Sequence, residues 1–203
     1  MSRIDETLAM DRRRFMRTAI AGGALLAVGG SLIIPRLFAA GAAASNLPVG
    51  KPGNVLLEIF GDDGRDLGAR QIPKLVLSDA QWKQRLSPAS FEVMRRDGTE
   101  LAFSGPHEKP GVGLFRCAGC ATALYDAATE FDSGTGWPSF WQPIAKTNVL
   151  RNRDSSFGMD RTAINCACCD SHLGHVFDDG PQPTGLRYCM NSVALRFVPR
   201  KAG

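Results

Sequence analysis

The sequence has little net positive charge with which to bind nucleic acid. The chain has 24 basic and 20 acidic residues, a net charge of +4. Residues 1–44 hold six of the basic and three of the acidic residues, which leaves 18 and 17 in the rest of the chain, a net charge of +1. No basic stripe runs through that remainder. Because nucleic-acid-binding domains concentrate positive charge on one surface, we expect no nucleic-acid partner.

The sequence also lacks internal repeats, and its only low-complexity block is a run of alanines near position 40. The chain has 203 residues and is 44% hydrophobic, which is sufficient for one domain with a sizeable core. Its 22 glycines and 12 prolines favour a fold that is rich in turns and strands.

Residues 1–44 have the features of an export signal. The basic segment "DRRRFMR" precedes eighteen uncharged residues, 18–35, and then "LFAAGAAASN". This order is typical of a cleaved signal, and the paired arginines followed by Phe-Met-Arg resemble the twin-arginine type. We expect cleavage after Ala42 or Ala44, export to the bacterial periplasm and no stable membrane association afterwards. The alternative is an uncleaved anchor, since eighteen residues is close to the length that spans a bilayer.

Short strand-like segments dominate the chain after Gly105. Segments such as "GVGLFRC", "TNVLRNRD" and "RTAINC" are separated by Gly, Pro, Asn and Asp, which predicts an antiparallel, mainly β domain. Before them, "SDAQWKQRLSPASFEVMRRDG" predicts two short helices with Ser78 as N-cap, a break at Pro88 and an end at Gly98. "NVLLEIF" predicts a short strand. "GLRYCMNSVALRF" predicts one continuous strand, in which Cys189 and Asn191 share a face with later alternate residues.

Four of the six cysteines form two C-x-x-C pairs. These are Cys117 with Cys120 and Cys166 with Cys169. Two such pairs predict a tetrahedral, structural zinc site that joins two distant hairpins. The alternatives are disulfides, because the chain is predicted to be exported, or a redox-active pair. Cys168 is left as a packed or surface thiol.

Cys189 lies outside the cysteine pairs and has polar neighbours. "SHLGHVF" places His172 and His175 on either side of Gly174. In a regular strand these histidines would point to opposite faces, so a bulge or kink at Gly174 is needed to turn both toward one pocket. An imidazole near a cysteine favours the thiolate and transfers protons. The alternatives are a buried, inert Cys189 and a structural or ligating role for the histidines.

The segment "FDSGTGWPSFWQPI" predicts a tight aromatic loop. Gly134, Gly136 and Pro138 restrict its path. The loop offers an aromatic surface of Trp137, Phe140 and Trp141, on which an exposed indole would suit a methyl group beside a sulfur atom. The alternative for its aromatic residues is ordinary burial.

Four segments together resemble the B-type peptide-methionine (R)-S-oxide reductases. They are "SDAQWKQRLSPASFEV", "FRCAGC", "FDSGTGWPSFWQPI" and "CDSHLGHVFDDGPQPTGLRYCMNSVALRF", which follow one another without large gaps over about residues 75–199. The resemblance implies two antiparallel sheets with short N-terminal helices and a structural zinc site. The predicted organisation is therefore an export signal (1–44), a linker or N-terminal extension (45–74), the reductase domain (75–199) and a tail (200–203).

The resemblance also implies a role for each candidate residue. Cys189 would be the nucleophile. Three polar side chains would surround the sulfoxide oxygen and assist proton transfer: His172, His175 and Asn191. Two aromatic side chains would bind the substrate: Trp137, which would hold the S-methyl group, and Phe177. Four thiolates would bind zinc: Cys117, Cys120, Cys166 and Cys169.

One position departs from the pattern of many family members. They carry a resolving cysteine between the two glycines of the "SGxGWPSF" loop, where this chain has Thr135. The resemblance implies that Cys189 attacks the sulfoxide sulfur and becomes a sulfenic acid. We expect an external, thioredoxin-like thiol to reduce this acid directly, with Cys168 as the remaining internal candidate. The expected substrates are oxidised proteins, and the expected state is a monomer. The competing hypothesis is a zinc-containing module that binds methionine-rich or oxidised proteins without chemistry.

Overall fold

Two antiparallel sheets form the centre of the computed structural model, which describes residues 48–105 and 111–200. The larger sheet has six strands in this spatial order: β7 (Glu130–Phe131), β8 (Ser139–Phe140), β12 (Arg187–Met190), β11 (His172–Phe177), β10 (Arg161–Cys166) and β9 (Val149–Asp154). The smaller sheet has three: β13 (Leu195–Pro199), β5 (Gly113–Cys117) and β6 (Ala123–Asp126). The predicted mainly β fold with two antiparallel sheets is confirmed.

Additional short elements surround these sheets. Two further antiparallel pairs precede the helices: β1 (Pro48–Val49) with β4 (Leu77–Ser78), and β2 (Asn54–Phe60) with β3 (Asp66–Pro73). Short 3-10 helices connect several strands, at Ala127–Thr129, Lys146–Asn148, Ser156–Gly158 and Ser192–Ala194.

The two predicted helices are present as α1 (Asp79–Arg85) and α2 (Pro88–Arg96). Ser78 caps α1 as predicted, because its side chain accepts from the Gln81 N–H while the Gln81 side chain accepts from the Ser78 N–H. The chain leaves α2 at Asp97, which adopts a left-handed conformation one residue before the predicted end. Phe91 and Met94 of α2 are buried in the hydrophobic core.

Aromatic side chains fill the space between the two sheets. Phe140 of the larger sheet stacks on Tyr125 of the smaller one, with ring centroids 4.3 Å apart. The Tyr125 hydroxyl donates to the Met190 sulfur at 3.1 Å. Neighbouring residues of a strand point to opposite faces. Ser139 and Cys189, which precede Phe140 and Met190, therefore face away from this core.

The prediction of one continuous strand over residues 185–197 is wrong. β12 ends at Met190, the chain turns through a 3-10 helix, and β13 continues in the other sheet. Hydrogen bonds fix this turn. The Asn191 N–H and side-chain amide both donate to the Leu173 carbonyl, at 2.8 and 3.1 Å, and the Ser192 hydroxyl donates to Glu100 at 2.8 Å. Residues beyond Asn191 therefore do not share the face of the larger sheet on which Cys189 lies.

The N-terminal extension contains a hairpin that packs on the domain. Its first strand, β2, coincides with the predicted "NVLLEIF" strand, and Leu57 is only 1% exposed. Asn148, which is fully buried, accepts from the Glu58 N–H at 2.9 Å and donates to the Glu58 and Ala123 carbonyls at 2.8 and 2.9 Å. One side chain therefore connects the hairpin to β6.

The predicted export signal, residues 1–44, lies outside the described residues. Among the described residues, no helix combines the length and the apolar character that crossing a membrane requires.

Replacing Asn148 by Ala should lower the free energy of unfolding by about 3 kcal/mol, because it leaves buried backbone groups of Glu58 and Ala123 without partners. Urea unfolding of the full chain would measure this. The matched control is Asn152→Ala, which removes an exposed side-chain bond to Asn165 and should cost less than about 1 kcal/mol. Equal effects of the two substitutions would contradict the assigned role of Asn148.

Candidate active site and metal centre

A row of residues crosses the larger sheet on the face that points away from the core. Cys189 is paired with Ser139 on one side and with His175 on the other, and His175 is paired with Ala163. Paired residues of an antiparallel sheet point the same way, with Cβ atoms about 5 Å apart. The fold therefore places a thiol and an imidazole side by side.

A β-bulge in β11 brings the second histidine to the same face. The register with β10 shifts so that His175 pairs with Ala163 while His172 pairs with Asn165, which leaves Leu173 as the extra residue. Both histidines consequently lie on one face, with ring centroids 5.2 Å apart. The bulge or kink predicted at Gly174 is present as a bulge whose extra residue is its neighbour, Leu173.

Gly174 is required at this bulge for a steric reason. A Cβ atom on this residue would lie 2.1 Å from the Cys189 carbonyl oxygen, and its φ of +156° is rare for residues with side chains. Only glycine lets β11 approach the strand of Cys189 so closely.

A cavity of about 140 Å³ opens beside Cys189. It brings together five of the predicted site residues: Trp137, His175, Phe177, Cys189 and Asn191. Thr99, Arg161, Gly174 and Met190 complete its wall. Its lining combines aromatic residues, Trp137 and Phe177, with polar ones such as His175 and Asn191. This lining suits a small group with one apolar and one polar end.

Two of these residues are held in place by hydrogen bonds to the segment before the sheets. The Trp137 indole N–H donates to the Glu100 carbonyl at 3.2 Å. The Asn191 side-chain carbonyl accepts from the Glu100 N–H at 3.0 Å, while its amide donates to Leu173. The Asn191 side chain thus supports the cavity wall through its hydrogen bonds to the backbones of Glu100 and Leu173.

His172 borders a different cavity. It is 3% exposed and lines a larger space of about 570 Å³, whose wall His175 shares. Burial, followed by the charge of His175, lowers the pKa of His172 to about 4. His172 is therefore neutral at pH 7. Its Nε2 atom is buried without a hydrogen-bond partner among the described residues.

Burial also dominates the electrostatics of Cys189. It raises the pKa of this thiol, and the positive charge of Arg187 opposes that effect, together with hydrogen bonds from Thr135 and Ser139. The sequence suggested that a histidine would favour the thiolate, whereas the cation that does so is Arg187. A signal for Arg187 was present, because it lies two residues before Cys189 and so on the same strand face.

Arg187 is itself oriented by its neighbours. Its guanidinium lies 4.5 Å from the centre of the Phe177 ring and pairs with Asp179 through two hydrogen bonds of 2.8 and 2.9 Å. This arrangement fixes the positive charge beside the thiol and connects it to an aromatic wall of the cavity.

Four thiols form a second cluster, between the two sheets. The sulfur atoms of Cys117, Cys120, Cys166 and Cys169 all lie within 4.8 Å of one another. The first pair begins at Cys117, the last residue of β5 in the smaller sheet, and the second begins at Cys166, the last residue of β10 in the larger sheet. The cluster therefore joins the β5–β6 hairpin to the β10–β11 hairpin, as the cysteine spacing predicts for two distant hairpins.

The two cysteine pairs sit in matching turns. The N–H groups of Ala121 and Asp170 each bond to the carbonyl of the first cysteine of their pair at 2.9 Å. Both residues are left-handed, with φ values of 64° and 57°. Each turn thus directs two sulfur atoms toward a common centre.

The sulfur positions fit a tetrahedral metal ion. Zn–S bonds of about 2.3 Å place tetrahedral sulfur atoms about 3.8 Å apart, and the Cys117–Cys169 and Cys120–Cys166 separations are 3.7 and 3.4 Å. These separations are far longer than a disulfide bond of about 2.05 Å, and the six cysteines are free. The cluster can therefore hold a metal ion.

Comparison with known proteins agrees with this architecture. A family model described as the SelR domain matches residues 86–199. The chain is 52% identical over 128 residues to the peptide methionine sulfoxide reductase MsrB of Pseudomonas syringae pv. syringae, which covers 63% of this chain and 98% of that protein. It is 50% identical over 128 residues to the protein of that name from Bradyrhizobium diazoefficiens (63% and 92% covered), and 49% identical over 121 residues to that from Leptospira interrogans (59% and 92% covered).

The chain belongs to the B-type methionine sulfoxide reductase family. The matched region contains the cavity around Cys189 and the four-thiol cluster. The β2–β3 hairpin precedes it, so this hairpin is an addition to the region that the SelR family model matches.

The position where many family members carry a resolving cysteine lies beside Cys189. The Thr135 hydroxyl at this position hydrogen-bonds Cys189 and also contacts the Ser133 hydroxyl at 2.8 Å, which in turn contacts Ser139 at 2.8 Å. Hydroxyl groups therefore replace a second thiol. Cys168 lines another cavity, with Cys120 and residues of the β2–β3 hairpin.

Proposed function

We propose that this protein reduces methionine-(R)-sulfoxide in proteins to methionine, with Cys189 as the nucleophile. The observation that carries the proposal is the pairing of Cys189 with His175 across two strands, at the wall of an aromatic cavity. The B-type family to which the chain belongs supports the reaction, and the resemblance to that family implies the R epimer.

The cavity suits the two ends of a methyl sulfoxide. Trp137 and Phe177 provide the apolar side for the S-methyl group. His175 lies on the side of the sulfoxide oxygen, where a proton is needed. His172 contacts the His175 ring, so it acts on the substrate through His175, and Asn191 maintains the cavity wall.

The reaction transfers one oxygen atom. Cys189 Sγ attacks the sulfoxide sulfur while its proton passes, through His175, to the sulfoxide oxygen. The oxygen then moves to Sγ, methionine leaves, and Cys189 becomes a sulfenic acid. The substrate sulfur is reduced by two electrons, and Cys189 is oxidised by two.

An external thiol restores the enzyme. Thr135 cannot form a disulfide, and Cys168 lies at a different cavity. A donor thiol attacks the sulfenic acid, which releases water and forms a mixed disulfide. A second donor thiol resolves that bond and regenerates the Cys189 thiol. A thioredoxin-like dithiol supplies both groups.

Anaerobic mixing of the protein with R-methionine sulfoxide, without a reductant, should add one oxygen atom to Cys189, as read by intact mass and peptide mapping. Thr135→Cys should instead lose two hydrogen atoms, because the new thiol lies beside the sulfenic acid and condenses with it. Cys168→Ser is the matched control and should behave like the wild type.

Cys189→Ser should abolish turnover, and the S epimer should give no mass change. Loss of two hydrogen atoms in the wild type would make Cys168 the resolving residue. No mass change with either epimer, in folded protein, would instead favour a module that binds oxidised proteins without chemistry.

We further propose that the four-thiol cluster binds one structural zinc ion. Four thiolates this close together, three of them buried, require a cation, and four protein ligands leave no open position for a substrate. Zinc would fix the two sheets relative to each other and thus support the cavity without entering the reaction.

Cys169→Ser should reduce the zinc content from one ion per chain to a small fraction and should lower the melting temperature. Cys168→Ser, its neighbour in sequence, should retain the full ion because Cys168 is not part of the cluster. Elemental analysis after dialysis, combined with thermal unfolding, measures both effects. Zinc loss in Cys168→Ser alone would contradict the ligand assignment.

We also propose export of the folded protein by the twin-arginine route, followed by cleavage after Ala42 or Ala44 and release as a monomer. The motif and the alanine-rich segment in residues 1–44 support this proposal. Since that route carries folded proteins, zinc is loaded before export.

In a Gram-negative host, the full chain should appear in the periplasmic fraction without its first 42 or 44 residues. Replacing Arg12 and Arg13 by Lys should retain it in the cytoplasm, whereas Arg3→Lys should not. Fractionation and N-terminal sequencing provide the readout. A full-length chain in the membrane fraction would instead indicate an uncleaved anchor.

A further inference from the structure

A carboxylate holds the imidazole of His175, the residue paired with Cys189 across β11 and β12. Asp154 Oδ2 accepts a hydrogen bond from His175 Nε2 at 2.8 Å, and their side chains are only 19% and 12% exposed. The same oxygen accepts from Arg161 at 2.7 Å, and the other oxygen accepts from the Ser156 N–H at 2.9 Å. Asp154 is thus fixed from three directions.

The strand register explains how Asp154 reaches His175 across an intervening strand. Ala163 lies between His175 on one side and Asn152 on the other, and Asp154 is two residues beyond Asn152 on the same face. Ala163 contributes only a methyl group to this face. The imidazole can therefore pass over β10 and meet the carboxylate on β9.

The charge of Asp154 determines the direction of the bond. Hydrogen bonds from Ser156, above all, and from His175 hold the pKa of Asp154 well below its usual range. An ionised carboxylate can only accept hydrogen bonds, so Nε2 of His175 carries the proton. When the ring carries a single proton, its lone pair is then on Nδ1.

We propose that Asp154 is a positioning residue for the reductase step, which fixes the Nε2–H tautomer of His175 and leaves Nδ1 to exchange a proton with Cys189 and the sulfoxide oxygen. This inference rests on the proposed function. The thiol proton moves from Sγ to Nδ1 as the Sγ–sulfur bond forms. Asp154 stabilises the imidazolium, which then gives the proton to the sulfoxide oxygen.

A second acid–base pair on the same hairpin provides a matched control. Asp160 pairs with Arg153 through two bonds of 3.0 Å, but both side chains are exposed and neither bonds to a histidine. Asp160→Asn removes one carboxylate charge from the β9–β10 hairpin, as Asp154→Asn does, and leaves His175 untouched.

Asp154→Asn should slow the formation of Cys189 sulfenic acid in a single turnover by about 100-fold, the typical contribution of an aligned acid–base group. The substrate concentration that gives half of the maximal rate should change by less than about threefold, because Asp154 does not touch the substrate. Asp160→Asn should react at the wild-type rate. A rate within twofold of the wild type in Asp154→Asn would overturn the proposal.

The tautomer of His175 gives a readout that does not depend on turnover. Nitrogen-15 spectra of the imidazoles, assigned with His175→Gln, should show the Nε2–H form in the wild type and a mixture in Asp154→Asn. A dominant Nδ1–H form in the wild type would overturn the proposal even if Asp154→Asn did not fold.

These two readouts separate this inference from the proposed function. If the wild type formed no sulfenic acid with the R epimer, the proposed function would be wrong, and the role of Asp154 in the reductase step would fall with it. If the wild type reacted but Asp154→Asn reacted equally fast, only the present inference would fail.

Discussion

The close contact between Gly174 and the Cys189 carbonyl is the constraint on which the active site depends. Without a Cβ atom at position 174, the bulged strand β11 can lie against β12, so that His175 stands opposite Cys189. The same bulge turns His172 toward His175. A side chain at position 174 would separate the strands, and with them the proposed nucleophile, Cys189, and its proposed proton-transfer partner, His175.

Two connections hold the sheet that carries this site against the rest of the domain. The four-thiol cluster joins the sheets where β5 and β10 end. The turn at Asn191 joins them again, because the chain leaves β12 there and enters β13 of the smaller sheet. Buried polar groups destabilise the fold unless they are hydrogen-bonded. The hydrogen bonds of the buried Asn191 amide to Glu100 and Leu173 therefore fix the path of the chain between the sheets, next to the cavity.

Local features of the fold were predictable, whereas features that depend on strand order were not. The Ser78 cap, the "NVLLEIF" strand and the cysteine pairs follow from short spacings, and the bulge follows from the two histidines around Gly174. The strand beyond Met190 was wrongly extended, because alternating residues continue through the turn although hydrogen bonds to Leu173 and Glu100 end the strand. Asp154 was missed since its contact with His175 crosses β10, which no local pattern indicates.

The raised pKa of Cys189 is consistent with the chemistry of a sulfoxide. Burial keeps the free enzyme in its thiol form against the opposing charge of Arg187. A permanent thiolate would be more open to oxidation, since oxidation follows thiolate character and exposure. The sulfoxide oxygen, in turn, leaves only after it gains a proton. A thiol that keeps its proton until substrate binds supplies both the nucleophile and this proton, provided that a neighbouring base transfers it. In the proposed mechanism this base is His175, which is paired with Cys189 across the strands and bonded to Asp154.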